Sequence, residues 1–189
     1  MNPGSLPIRL ARGAAVCVLL SWTLAATAQA PGTYRGQNAQ GYPMEIVVAT
    51  APDGVSSEVR SIRTSYNLTC DLPGLALTLS SVVSGFFPVS PDGSFDANYL
   101  WDRDYFRTAG HFAGDGTVQG TTTWSIAAVA RKAPHPSGVC GSPDLAWSAA
   151  AVPANAAARR APGQPTDIVI ERHLDRAGRV TSDTLRGTR

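Results

Sequence analysis

The feature that most constrains the fold is a period of two in the hydrophobic pattern, which recurs in short runs along the chain. Tyr66 and Leu68 alternate with Asn67 and Thr69, for example, and no run shows a sustained period of 3.6. The predicted apolar side of these runs comprises Ile62, Thr64, Tyr66, Leu68, Cys70, Leu75, Leu77, Leu79, Phe95, Ala97, Tyr99, Trp101, Val118, Thr122, Trp124 and Ile126. Alternation of this kind, with Ser and Thr on the other side, is typical of an antiparallel sheet that buries one face.

Turn sequences separate the alternating runs at regular intervals. Residues 51–54 (APDG), 90–93 (SPDG) and 114–116 (GDG) combine Gly, Pro and Asp, as chain reversals between strands do. Seven or eight strands of this length in one domain predict an all-β fold, an antiparallel β-sandwich or a flattened barrel. Trp124 and Trp147 are the expected core anchors, because a buried indole contributes a large apolar area.

The first 28 residues have the organisation of a secretory signal peptide. Arg9 and Arg12 precede an uncharged, Ala/Val/Leu-rich stretch at 13–26, and small residues follow at Ala26 and Ala28. The apolar stretch is too short for a membrane-spanning helix, which needs about 20 residues, although an uncleaved anchor is the alternative. We therefore expect cleavage after Ala28, no membrane span afterwards, and a secreted or periplasmic protein.

Two cysteines, Cys70 and Cys140, remain once the signal segment with Cys17 is removed. Two thiols in an oxidising compartment, with no third to compete, are expected to form a disulfide. Zinc binding would need further ligands, and the chain has no Cys-x-x-Cys pair and no histidine cluster near either cysteine. No metal and no cofactor are predicted.

The charges divide the chain after the signal segment into two parts. Residues 31–152 carry seven basic and ten acidic residues, whereas residues 153–189 carry seven Arg and four acids. Neither part has the clustered basic face that nucleic-acid binding usually requires. We therefore expect a β-domain at 29–152 and an Ala/Pro/Arg-rich linker and basic tail at 153–189. The tail also has the pattern of a weak hairpin, but its composition predicts a mostly mobile segment.

A set of structural motifs runs through the β-domain. These are Tyr34-x-Gly36, Gly93-Ser94-Phe95, Gly110-His111-Phe112 followed by Gly116 and Gly120, and Cys140 followed by Trp147-Ser148-Ala149. Over residues 32–150 this order resembles that of small exported bacterial β-sandwich domains with no assigned function. The resemblance implies the fold and the disulfide, and it implies no catalytic residues.

Residues 99–106 depart from that resemblance by being both aromatic and charged. The candidate ligand-binding side chains in this stretch are Tyr99, Trp101, Asp102, Asp104 and Tyr105. Aromatic faces beside carboxylates can bind a sugar or a peptide. The competing interpretation is a plain hairpin, in which the aspartates form a polar tip and the aromatic residues are partly buried cross-strand pairs.

Three functional hypotheses follow. The first is a non-catalytic, extracytoplasmic binding module whose partner is a glycan or an envelope protein. The second is a hydrolase of unrecognised type that uses Asp102, Asp104 or His111, although no Gly-x-Ser-x-Gly nucleophile motif occurs in the chain. The third is an envelope-associated structural protein whose tail adds a strand to a partner's sheet.

Overall fold

The protein is described by a computed structural model over residues 29–71, 76–101, 104–127, 138–153, 166 and 168–187. Within these ranges it contains eleven strands and no helix, which confirms the predicted all-β class. The strands are β1 (Gly32–Asn38), β2 (Pro43–Thr50), β3 (Ser57–Cys70), β4 (Ala76–Pro88), β5 (Ser94–Trp101), β6 (Asp104–Phe112), β7 (Thr117–Ile126), β8 (Cys140–Gly141), β9 (Leu145–Ala151), β10 (Ile168–Leu174) and β11 (Val180–Gly187). The signal segment lies outside the described residues. Among the residues that are described, no helix is long and apolar enough to cross a membrane.

Six strands close into a barrel in the order β3, β2, β1, β9, β7 and β8, each antiparallel to its neighbours. The short strand β8 completes the circle, because it pairs with β3 on one side and with β7 on the other. Cys140 of β8 lies opposite Cys70 of β3 in this pairing, and the two are joined by the predicted disulfide. The covalent bond thus holds the barrel together at its shortest strand.

Two extensions of the sheet leave the barrel and pack face to face. One continues from β3 to β4, and the other continues from β7 to β6 and β5. Tyr66 of the barrel strand β3 and Tyr99 of the second extension each lie 6.0 Å, between ring centroids, from Trp124. Trp124 is fully buried, as predicted, and burial of an indole contributes roughly 4 to 6 kcal/mol of transfer free energy. The fold therefore combines a barrel with a sandwich.

The predicted turns share one mechanism, an aspartate that accepts hydrogen bonds followed by a glycine with a positive φ. At residues 90–93 the carboxylate of Asp92 accepts hydrogen bonds from the Ser94 amide and hydroxyl, at 3.0 and 2.7 Å. Gly93 then adopts a φ of +88°, a conformation that costs glycine little. Asp115 and Gly116 repeat the arrangement before β7.

Trp147, the other predicted anchor, packs against backbone where two glycines face each other. Gly110 of β6 lies directly opposite Gly120 of β7. A Cβ atom at Gly110 would lie 2.8 Å from the Trp147 ring, and one at Gly120 would lie 2.6 Å from it. The Trp147 indole therefore fits only because neither position carries a side chain.

The tail differs from the expectation of a mostly mobile segment. Strand β10 pairs in parallel with β4, and β11 pairs with β10 to form a C-terminal hairpin. Ile170, Arg172 and Leu174 of β10 are buried against the sandwich, which supplies the docking surface that an isolated hairpin lacks. Both edges of β10 are occupied, so among the described strands of the tail only β11 has a free edge for a partner's sheet. Most of the linker lies outside the described residues.

Candidate functional site

The aromatic and charged stretch forms the far end of the β5–β6 hairpin, and the structure divides its side chains into two groups. Tyr99 and Asp104 are buried at 4% and 6% exposure. Trp101 and Tyr105 are exposed at 43% and 36%, and the neighbouring Leu100 is 74% exposed. Asp102 lies outside the described residues. The plain-hairpin interpretation thus describes Tyr99, but it is wrong for Asp104, which it placed at a polar tip and which is instead buried against Arg172. The exposed residues remain candidates for binding.

The register shows how the exposed side chains are arranged. Leu100 and Tyr105 are direct cross-strand partners, so both project from the outer face of the hairpin. Trp101 lies opposite Asp104 and, by alternation, is on the same side as Tyr99. We call Leu100, Trp101 and Tyr105 the binding tip. Its apolar groups cover both faces of the hairpin end.

Polar groups next to the tip on the outer face are held in place by one another. Arg107, two residues beyond Tyr105, shares its Nε–H between Asp96 Oδ1 and Oδ2, at 3.2 and 3.1 Å, and donates from Nη2 to Oδ2 at 2.8 Å. Asn98 donates to the same carboxylate at 3.2 Å. The Arg107 hydrogen bonds lower the pKa of Asp96, which keeps it ionised. Fixed donors and acceptors of this kind cost little ordering entropy when a ligand binds.

Behind the tip lies a group of residues that we call the Arg172 cluster: the buried Arg172, Tyr99 and Asp104, and the exposed Asp183 of β11. The Arg172 guanidinium donates to the Tyr99 hydroxyl at 2.8 Å, to Asp104 Oδ2 at 2.6 Å and to Asp183 Oδ1 at 2.8 Å. Its Cζ also lies 5.0 Å from the centre of the Tyr99 ring. Burial raises the pKa of Tyr99, so the phenol stays protonated. Because hydrogen bonds to charged groups contribute about 1.5 to 3 kcal/mol each, the cluster is a strong link between distant strands.

Of the residues in the hydrolase hypothesis, the two that the structure describes, Asp104 and His111, are not brought together. Asp104 and His111 stand seven residues apart on the extended strand β6, which separates their Cα atoms by roughly 23 Å. The Asp104 carboxylate already accepts from Arg172 and from the Ala127 amide at 3.0 Å. Among the described residues, no three His, Cys, Asp or Glu side chains converge in a group that could hold a metal ion.

Two residues of this region were missed by sequence reasoning. Arg172 follows Ile168 and Ile170 and precedes Leu174 at alternate positions, so the pattern places it on the apolar side of β10. An arginine in such a position must find an acid when buried, and this was the available signal. For Leu100 the available signal was its place on the polar side of β5, where it follows Asp96 and Asn98 at alternate positions.

Comparisons of the chain with protein-family models, with curated proteins and with solved structures give no match.

Proposed function

We propose that this protein is a non-catalytic, extracytoplasmic binding module that contacts its ligand through the binding tip. The observation that carries the proposal is the exposure of Leu100, Trp101 and Tyr105 at one end of one hairpin. Most other large apolar side chains of the described residues are buried, including Tyr34, Tyr66 and Trp147. Apolar groups that cluster on a surface mark interaction sites far more often than single exposed residues do.

The compartment is supported by the disulfide. The Cys70–Cys140 bond is compatible with an oxidising environment, where such bonds form and persist. Together with the signal sequence, this supports export to the periplasm or beyond.

Binding is favoured over hydrolysis because Asp104, the described carboxylate next to the binding tip, is already paired with Arg172. Asp104 is 6% exposed and paired with Arg172, whereas a general acid or base must reach the substrate. Exposed rings beside fixed polar groups, by contrast, suit a ligand that stacks and accepts hydrogen bonds. A glycan or a peptide segment of an envelope protein fits this chemistry.

The test is a binding screen of the full chain against glycans, peptidoglycan fragments and envelope-derived peptides. The double variant Trp101→Ala/Tyr105→Ala should weaken binding about 30-fold or more, as loss of an interface hot spot does. Tyr42→Ala is the matched control, since Tyr42 is a partly exposed tyrosine on the β1–β2 turn. Unchanged binding in the double variant, or no ligand in any of the three classes, would contradict the proposal.

A further inference from the structure

Arg172 touches both strands of the binding hairpin at the base of its tip. Tyr99 is the residue before Leu100 on β5, and Asp104 is the residue before Tyr105 on β6. A single guanidinium reaches both, through Nη1 to the Tyr99 hydroxyl and Nη2 to Asp104. The guanidinium of Arg172 therefore holds the sequence neighbour of Leu100 on β5 and the sequence neighbour of Tyr105 on β6.

The remaining contacts of the cluster fix Arg172 itself. Its Nε donates to Asp183 of β11, and its side chain is only 3% exposed. The planar guanidinium holds its donors in a rigid fork, so the positions of Tyr99, Asp104 and Asp183 are set relative to one another. A lysine, with its charge at a single point, could not impose the same geometry.

The hairpin that carries Arg172 has a second anchor away from the tip. Arg176 pairs with Glu58 of β3 at 2.7 and 3.3 Å, and its Cζ lies 4.4 Å from the Phe86 ring centre. The C-terminal hairpin is thereby attached to β3 and β4, the latter also through the parallel pairing of β10, and to β5 and β6 through Arg172. Movement of the hairpin would be transmitted to the tip through Arg172.

We propose that Arg172 is a positioning residue for the binding tip, through which the C-terminal hairpin β10–β11 sets the geometry of the ligand-binding surface. The inference rests on the proposed function of the tip. It implies that the hairpin contributes to affinity without touching the ligand, and that its displacement releases the two strands that carry Leu100, Trp101 and Tyr105.

The experiment measures amide hydrogen exchange of the unliganded full chain, in peptides that cover residues 96–107 and in peptides from β1 and β2. Arg172→Met removes the donor, and the double variant Asp104→Asn/Arg172→Met removes both charges so that no unpaired carboxylate is left buried. Arg179→Ala is the control, because Arg179 forms an exposed ion pair within the same hairpin.

Both cluster variants should exchange at the tip about tenfold faster or more, the effect of losing one charge-assisted hydrogen bond. Exchange in β1 and β2 should be unchanged in the double variant, and Arg179→Ala should match the parent protein. Unchanged protection of the tip in the double variant would overturn the inference. Equal acceleration throughout the chain would overturn it too, since it would show a merely structural role.

The outcomes also separate this inference from the proposed function. If the tip stays protected in Asp104→Asn/Arg172→Met while Trp101→Ala/Tyr105→Ala still loses binding, the binding function stands and the positioning role of Arg172 is wrong. If instead the tip loses protection in that variant while Trp101→Ala/Tyr105→Ala binds normally, the proposed binding function is wrong.

Discussion

Replacement of Gly120 by alanine tests whether the Trp147 packing determines stability. A Cβ atom at Gly120 would lie 2.0 Å from the Ala109 carbonyl oxygen and 2.6 Å from the Trp147 ring. Neither neighbour can withdraw easily, because Ala109 belongs to the paired strand β6 and the Trp147 ring is buried. The substitution must therefore separate β6 from β7 or displace the indole.

The expected cost follows from that geometry. Overpacking a well-packed core destabilises by about 1 to 3 kcal/mol, and the upper part of this range applies because one contact is with backbone. Gly114→Ala is the matched control, since a Cβ atom at Gly114 meets nothing within 4 Å. That change should leave stability within about 0.5 kcal/mol, or raise it slightly by restricting the unfolded chain.

Urea denaturation followed by circular dichroism measures both variants in the oxidised protein. The midpoint for Gly120→Ala should fall clearly below that of Gly114→Ala, with a similar dependence on urea concentration. Equal midpoints would show that the β6–β7 pair and Trp147 can relax without cost, and the packing argument would then be wrong.

Two further predictions concern the disulfide and the turn aspartates. Reduction of the Cys70–Cys140 bond, which joins positions 70 residues apart, should lower the unfolding free energy by about 4 kcal/mol, measured by urea titration with and without reductant; a loss below about 1 kcal/mol would contradict this. Hydrogen bonds from the Ser94 and Thr117 side chains lower the pKa of Asp92 and Asp115 in the folded state. Their stabilisation should therefore be complete above the unfolded pKa of about 3.9 and decline as the pH falls below it, and Asp92→Asn should flatten that decline in urea midpoints.

Local patterns were sufficient for much of the fold. The alternation around Tyr66 and Trp124 predicted strands and their buried sides, since side chains on a strand point to opposite faces in turn. The Pro-Asp-Gly and Gly-Asp-Gly turns were equally legible, because Asp accepts from the amide two residues on and Gly supplies the positive φ. The disulfide needed only the count of cysteines and the expected compartment.

Only part of the candidate site could be predicted from the sequence, because the rest depends on contacts between residues that are far apart along the chain. Trp101 and Tyr105 were recognisable as aromatic residues beside acids, but Tyr99 and Asp104 have the same sequence signature and a different role. What distinguishes them is the partner Arg172, which is 73 positions from Tyr99 and 68 from Asp104 along the chain. No local pattern records a contact of that sequence separation.

The sequence alone therefore determined the strands, the turns and the buried face, because each depends on neighbouring residues. It also determined the pairing of Cys70 with Cys140, because no other cysteine remains after the signal segment. Tertiary structure decided that the barrel closes through β8, that the tail adds β10 to β4, and that Arg172 separates a buried base from an exposed tip. These features depend on which surfaces meet, and an isolated hairpin gains its stability only from the surface on which it docks.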